Sequence, residues 1–184
     1  MNLKIKRRSR WGEHMPEKVV NGFHFMPPSL SAWIGKSIPE KEFDGHIPWT
    51  PLKKPLSETT FSLMTSAGIN MNTDPDFNMD RERREPAWGD PSYRKISANA
   101  AQSDIHVNHL HINTDYIKQD MNVMLPLRRF QEFEADKTIG VLAPHVYAYY
   151  GFQLDPKELL QNTMPQVVAD MQKEGVEAVL LTPA

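Results

Sequence analysis

The run Asp155-Pro156-Lys157-Glu158-Leu159-Leu160-Gln161-Asn162-Thr163-Met164-Pro165-Gln166-Val167-Val168-Ala169-Asp170-Met171-Gln172-Lys173-Glu174-Gly175-Val176-Glu177-Ala178-Val179-Leu180-Leu181-Thr182 decides the fold class. Asp155 suits an N-cap, Pro156 the first helical position, and Glu158 completes a capping-box spacing. Leu160, Met164, Val167, Val168 and Met171 then fall on one helical stripe. Pro165 lies inside that stripe, so two helices are expected, the second restarted by Thr163 with Gln166 three residues on. Gly175 is a natural C′ residue, and Val176–Thr182 follows as an apolar strand. Helix, glycine and apolar strand make the half-unit of a doubly wound α/β sheet.

Working back from it, Thr60-Phe61-Ser62-Leu63-Met64-Thr65-Ser66-Ala67-Gly68 reads as a buried parallel strand turning at a glycine. Residues 70–100, rich in Asn, Asp, Pro and Arg, read as a long polar loop. Ile105-His106-Val107-Asn108-His109-Leu110 is a second strand, with His106 as a strand or loop residue making an ordinary hydrogen bond. Val123–Asp136 is helical in its second half, where Leu127, Phe130 and Phe133 recur at three-residue spacing and Pro126 fits a first turn. Thr138–Pro144 is a third strand, stopped by its proline. The expected fold is α/β over residues 59–184: an open, mostly parallel, Rossmann-like sheet.

Residues 1–58 differ in kind. The first 60 residues carry ten Lys/Arg against six Asp/Glu, and ten of the fifteen prolines fall before residue 92. Pro16, Pro27, Pro28, Pro39, Pro48, Pro51 and Pro55 interrupt any sustained period, so this is a basic, extended arm. Trp11, Phe23, Phe25, Trp33, Phe43 and Trp49 are too many for a free linker, and parts of the arm are expected to lie on another surface. The Lys4–Arg10 cluster reads as a solvated tail, with an acidic partner as the other possibility.

Composition narrows the function. At 184 residues, 40% hydrophobic and 24% charged, the chain is an ordinary globular one of one domain plus an arm. A net charge of −2 excludes a globally basic nucleic-acid binder. With no cysteine, a disulfide scaffold, a thiolate zinc site and a thiol nucleophile within these residues are all excluded. No apolar run is long enough to span a membrane, and no apolar segment follows the basic start, so the cytoplasm is the default compartment. There is no Gly-x-Gly-x-x-Gly and no phosphate loop, so no dinucleotide is expected.

Sequence then stops at Thr182-Pro183-Ala184, the carboxyl end of a strand, where open α/β sheets bind ligands. No helix follows to cover Ala178-Val179-Leu180-Leu181, so the domain is expected to be incomplete at its C-terminus and poorly soluble as written. Several stretches match a known family in order. They are Pro48-Trp49-Thr50-Pro51-Leu52 with Lys54-Pro55-Leu56-Ser57, Leu63–Gly68, His109-Leu110-His111, Asp120-Met121-Asn122-Val123 with Pro126-Leu127, Ile139–Pro144, and Gly175–Ala184. Together they resemble the selenoprotein B family of glycine/sarcosine/betaine reductases, which also contains the selenocysteine subunit of D-proline reductase.

The resemblance implies a catalytic nucleophile immediately after Ala184: selenocysteine, or cysteine in some members, then two residues and a Cys-His pair. Selenocysteine is encoded by UGA, which routine gene reading takes as a stop; truncation at that codon is therefore expected, with the 184 residues inactive alone. It further implies reductive C–N cleavage of a small amine in amino-acid fermentation. A pyruvoyl group on a separate partner subunit holds the amine, and a thioredoxin-type or selenoprotein carrier supplies electrons, so a hetero-oligomer is expected. No cofactor on this chain, no nucleic acid and no membrane are expected.

Two alternatives stay open. One is a non-catalytic α/β scaffold subunit of a multi-subunit reductase, and the other a metal-dependent hydrolase using His109 and His111. In an extended segment those two histidines face one side, as a carboxylate-binding or proton-transfer pair beside the missing nucleophile, or as a metal pair. Asn113 and Thr114 stand where a metallo-hydrolase would want Asp and His, so no metal is assigned. Asp120 and Asn122 either cap a helix or line the site. Pro144, His145 and Gly151 are expected at the active edge of the sheet, although the family often has a more basic residue where His145 stands. Tyr147, Tyr149 and Tyr150 line a pocket or pack on a partner. Thr65, Ser66 and Gly68 end the first strand, where small residues permit close approach of a ligand or serve a tight turn. Thr182, Pro183 and Ala184 complete the expected site.

Overall fold

A computed structural model describes residues 50–85 and 87–184, together with a few positions among the first 48, including Leu3–Lys4 and Val19–Val20. The chain divides into units of residues 1–48 and 49–184. In the first unit Leu3–Lys4 pairs antiparallel with Val19–Val20. The arm's six aromatic residues, and most of its basic cluster, lie outside the described residues.

The second unit is built around β1, Thr60–Thr65. Its last four residues are buried, which requires every polar group on them to find a partner. Ser62 donates from Oγ to the His145 carbonyl at 2.9 Å, and Thr65 from Oγ1 to the Thr182 carbonyl at 3.2 Å. Leu63 is fully buried, worth about 1.5–3 kcal/mol in transfer from water.

Along one edge, β1 pairs in parallel with the final strand, Ala178–Thr182, in unbroken register from Phe61↔Ala178 to Thr65↔Thr182. Its other edge is shared by two short strands, Val141–Leu142 and His145–Tyr149, both parallel to it. Phe61 opposes Leu142 but Met64 opposes Tyr147, so five steps on one strand meet three on the other. Ala143 and Pro144 take up the surplus. Proline cannot donate to the ladder, and here it interrupts a strand that resumes, whereas the sequence reads it as the end of one.

Tyr93–Ser97 pairs antiparallel with His145–Tyr149 on the far side, from Tyr93↔Tyr149 to Ser97↔His145. In chain order the strands of the unit are β1, β2 (Ile69–Met71), β3 (Tyr93–Ser97), β4 (Ile105–Val107), β5 (Val141–Leu142), β6 (His145–Tyr149) and β7 (Ala178–Thr182). The main sheet is therefore mixed but mostly parallel. Strands β2 and β4 form a separate antiparallel pair, so the second predicted strand is shorter than Ile105–Leu110 and outside the main sheet. Strand β7 forms an edge, with Val179 and Leu180 each 38% and Leu181 65% exposed.

Among the described residues of this unit the α-helices are α1 (Met79–Arg84), α2 (Asp115–Gln119), α3 (Leu127–Ala135) and α4 (Met164–Lys173). Helix α3 falls where its period places it, with Phe130 meeting Phe61 at a 5.9 Å ring separation. The expected two-helix stretch before β7 is one continuous helix over 157–173, in which Leu159–Thr163 is wound as a π-type turn leading into α4. Pro165 has no N–H to offer and its ring crowds the carbonyl four residues back, and the wider turn accommodates both. The buried stripe is accordingly Leu159, Thr163, Val167 and Met171, while Leu160 is 61% and Val168 50% exposed. Asp155 does accept the Lys157 N–H at 3.2 Å, but Glu158 turns to Asn162 at 2.8 Å and closes no capping box.

At the far end, Gly175 has φ +71°, the Gly175 N–H reaches the Gln172 carbonyl at 3.1 Å, and the Val176 N–H reaches that of Met171 at 3.0 Å. That is a Schellman stop, and it aims β7 along β1.

Beneath α4 lies a polar cluster. Glu174 bonds His145 Nδ1 at 2.8 Å and Lys95 Nζ at 3.1 Å, and Tyr93 donates to Asp170 at 3.0 Å. Burial pushes the Glu174 carboxyl up, but Lys95 and His145 together outweigh it and hold it below the usual glutamate range. A depressed acid stabilises the fold above its unfolded pKa, near 4.5, and that stabilisation is lost as pH falls through the lower folded value. Thermal unfolding between pH 3 and 7 should show a decline below about pH 4.5 that Lys95→Met makes smaller. An identical acid limb in both proteins would contradict this role for Lys95.

Candidate functional site at the carboxyl edge of the sheet

The parallel strands β1, β6 and β7 deliver their carboxyl ends to one place, and Ser66 joins them. Its N–H donates to the Thr182 carbonyl at 3.2 Å, its carbonyl accepts the Gly151 N–H at 2.9 Å, and its Oγ accepts the Ala184 N–H at 2.8 Å. Gly151 leaves no alternative to glycine without movement, since a Cβ there would stand 2.9 Å from the Ser66 Cβ. Thr182 adds a bond from Oγ1 to the Met124 carbonyl at 2.6 Å, tying β7 to the segment before α3.

Gly68 carries the chain away from this junction with φ +66°. Its N–H reaches the Tyr149 carbonyl at 3.1 Å and its carbonyl takes the Asn108 N–H at 2.9 Å. Asn108 immediately precedes His109, so the glycine turn positions the histidine segment against the sheet. His109 packs on Tyr150 at a ring separation of 4.4 Å, and His111 stacks on Phe152 at 3.9 Å. Tyr150 and Phe152 flank Gly151, and the two histidines thereby flank the same junction.

These histidines are not equivalent. Burial, then the neighbouring His111, lowers the His109 pKa to about 4, with Glu82 pulling only partly the other way. His109 is thus neutral near pH 7, and its Nδ1 accepts the His111 N–H at 3.1 Å. His111 bonds through Nε2 to Glu82, whose side chain is 3% exposed. Tyr150 accepts the Leu110 N–H at 3.4 Å. Burial, then Glu82, drives its phenol far above the usual range, so it stays protonated.

The edge therefore gathers Thr65, Ser66, Gly68, Gly151, Thr182, Pro183 and Ala184, with His109 and His111 beside it. Asp120 and Asn122 are held in a cap. Asp120 accepts from the Asn122 N–H and side chain at 3.0 and 2.7 Å, which hold its carboxyl below the usual range, and Asn122 Oδ1 takes the Arg128 N–H at 3.0 Å. Pro144 and His145 sit at the amino end of β6, with the His145 ring turned to Glu174, because the strand restarts after Pro144. Of the tyrosines, Tyr147 faces α4 and Tyr150 the histidines. His106 pairs opposite Asn70 in the small sheet.

Glu82 was not legible as a site residue. It hides in the charged run Arg81–Glu85, and only its three-residue spacing from buried Met79 sets it apart. Among the described residues no group of three His, Cys, Asp or Glu is arranged to hold a metal ion, and no helix is long and apolar enough to cross a membrane.

Comparison with known proteins gives this geometry a context. Residues 37–184 match the family model described as glycine/sarcosine/betaine reductase selenoprotein B. The chain belongs to that family. It is 33% identical over 134 residues to the D-proline reductase subunit gamma of Acetoanaerobium sticklandii, covering 73% of this chain and 52% of the relative. It is 31% identical over 146 residues to the glycine reductase complex component B subunit gamma of Carboxydothermus hydrogenoformans, covering 79% of this chain and 32% of the relative. The chain thus spans about half of one selenoprotein B relative and a third of the other. No solved structure matches it significantly. The family serves in reductases, which gives it an oxidoreductase role.

Proposed function

We propose that these residues form part of a reductase subunit that cleaves the C–N bond of a small amine such as glycine, sarcosine, betaine or D-proline. Its nucleophile, a selenocysteine or cysteine, stands directly after Ala184. One observation carries this reading: the Ala184 N–H is bound to Oγ of Ser66, whose backbone carbonyl takes the Gly151 N–H just beyond β6. A residue following Ala184 leaves the sheet at the edge where α/β proteins bind ligands.

The nucleophile must be anionic at neutral pH, and a selenol ionises more readily than a thiol of pKa ~8.5. The chain's own share is to hold it between glycine and serine and to supply protons from the histidine segment. A pyruvoyl group on a partner subunit would supply a carbonyl that holds a primary or secondary amine and draws electrons from it. A thioredoxin-type or selenoprotein thiol carrier returns two electrons. The relatives' names, as a subunit and a complex component, support a hetero-oligomer.

Exposed Val179, Leu180 and Leu181 on β7 favour a second reading, a scaffold whose partner covers that strand. Alkylation separates the two. Treating the full-length subunit alone with iodoacetamide, then adding its partners, should abolish C–N cleavage of the substrate. Undiminished cleavage would leave the scaffold.

A further inference from the structure

Glu82 is the buried acid that this reaction has not yet used. Helix α1 starts on Asn78, whose Oδ1 accepts the Arg81 N–H at 2.9 Å. Of its exposed charges, Arg81 pairs with Glu85 at 3.1 Å and Arg83 with Asp80 at 2.8 Å, and Arg84 donates to the Asp80 carbonyl at 3.2 Å. Glu82 alone among them turns inward, to 3% exposure. One of its oxygens bonds His111 Nε2, while Oε2 is buried with no hydrogen-bond partner. A buried carboxylate needs a compensating partner, here the His111 ring, and such pairs recur where an imidazole is to be oriented.

The ring is fixed from several sides. Glu82 takes Nε2, Phe152 stacks on one face at 3.9 Å, and His109 stands edge-on at 6.0 Å. A carboxylate facing Nε2 can only accept, so the bond sets the proton on Nε2, and Nδ1 is the nitrogen left to exchange one. The His111 side chain remains 44% exposed. The groups facing this pair are His109 and Tyr150, with Asp90 acting on Tyr150. Of all these groups, His111 is the one that both bonds the buried acid and reaches solvent, which makes it the ring placed to pass a proton.

We propose that Glu82 is a positioning residue that holds His111 as the proton donor to the departing amine, the two acting as one unit. The inference rests on the reductase reading above. In the step concerned, selenium or sulfur bonds to the α-carbon. The C–N bond breaks with its electron pair going to nitrogen, and nitrogen takes the Nδ1 proton of His111. The imidazole left behind is reprotonated from solvent.

The test uses the full-length subunit assembled with its partners, as wild type, Glu82→Gln, Glu82→Asp, His111→Gln and the Glu82→Gln/His111→Gln double variant. Glu82→Gln and His111→Gln should each lower kcat for C–N cleavage by roughly 10²-fold and flatten its pH profile. The double variant should be no worse than either single one, and Glu82→Asp should recover part of the loss. The iodoacetamide alkylation rate of the nucleophile should stay unchanged, showing that the fold survives. Wild-type kcat and pH profile in Glu82→Gln, or losses that multiply in the double variant, would overturn the inference while leaving the reductase reading intact. No C–N cleavage of any of these amines by the wild-type assembly would instead remove the reading beneath it.

Discussion

Gly68→Ala is expected to destabilise the domain by about 3 kcal/mol, the sum of two independent costs. A Cβ at this position would lie 2.2 Å from the Asn108 carbonyl oxygen and 3.3 Å from the Tyr150 ring. The φ of +66° is also left-handed, which costs a non-glycine residue about 1–2 kcal/mol. Relief requires the segment from Asn108 to His111 to move away from the sheet, so the loss reaches the histidines as well as the fold. Urea unfolding should show a lower midpoint at unchanged slope. A loss below about 1 kcal/mol would mean that the turn yields easily and does not hold the histidine segment in place.

Ser66→Ala should act mainly on turnover. The hydroxyl is the acceptor for the Ala184 N–H at 2.8 Å in a residue only 5% exposed. Its removal loses that hydrogen bond from the exposed Ala184 N–H, a stability cost of about 0.5–1.5 kcal/mol. The larger effect is geometric, because misplacing a reacting group by about 1 Å can cost 10²-fold in rate. The full-length reductase should therefore lose roughly 10²-fold in kcat with little change in KM. Gly151→Ala, whose Cβ would press on the same serine at 2.9 Å, should reproduce the loss. A kcat unaffected by both changes would detach Ser66 from the chemistry.

What the sequence shows of this molecule follows from how local the determining physics is. The helix-to-β7 unit is legible because Asp155, Gly175 and the apolar run from Ala178 to Leu181 each act over a few residues. Gly68 and the parallel strand before it are legible for the same reason. Strand β3 is not: in Tyr93-Arg94-Lys95-Ile96-Ser97 only Ile96 is an aliphatic core residue. Its tyrosine and lysine are used by Asp170 and Glu174, some 75 residues on. Strand β6 is masked by Pro144, which normally ends a strand, and His145 was consequently expected at the wrong end of it. Glu82 is invisible for a related reason, since nothing in a run of alternating charges says which one the fold will bury. The histidine pair is legible as a pattern, but its division into a neutral His109 and a Glu82-bound His111 is made by burial.

Mass spectrometry of the tryptic peptide that begins at Glu174, from protein isolated from the producing cells, tests the central claim most directly. The peptide should run through Ala184 into a selenocysteine, recognisable by the selenium isotope pattern, or into an alkylatable cysteine, with a Cys-His pair beyond. A peptide ending in a free carboxylate at Ala184 would contradict the placement of the nucleophile, and with it the catalytic role of this sheet edge.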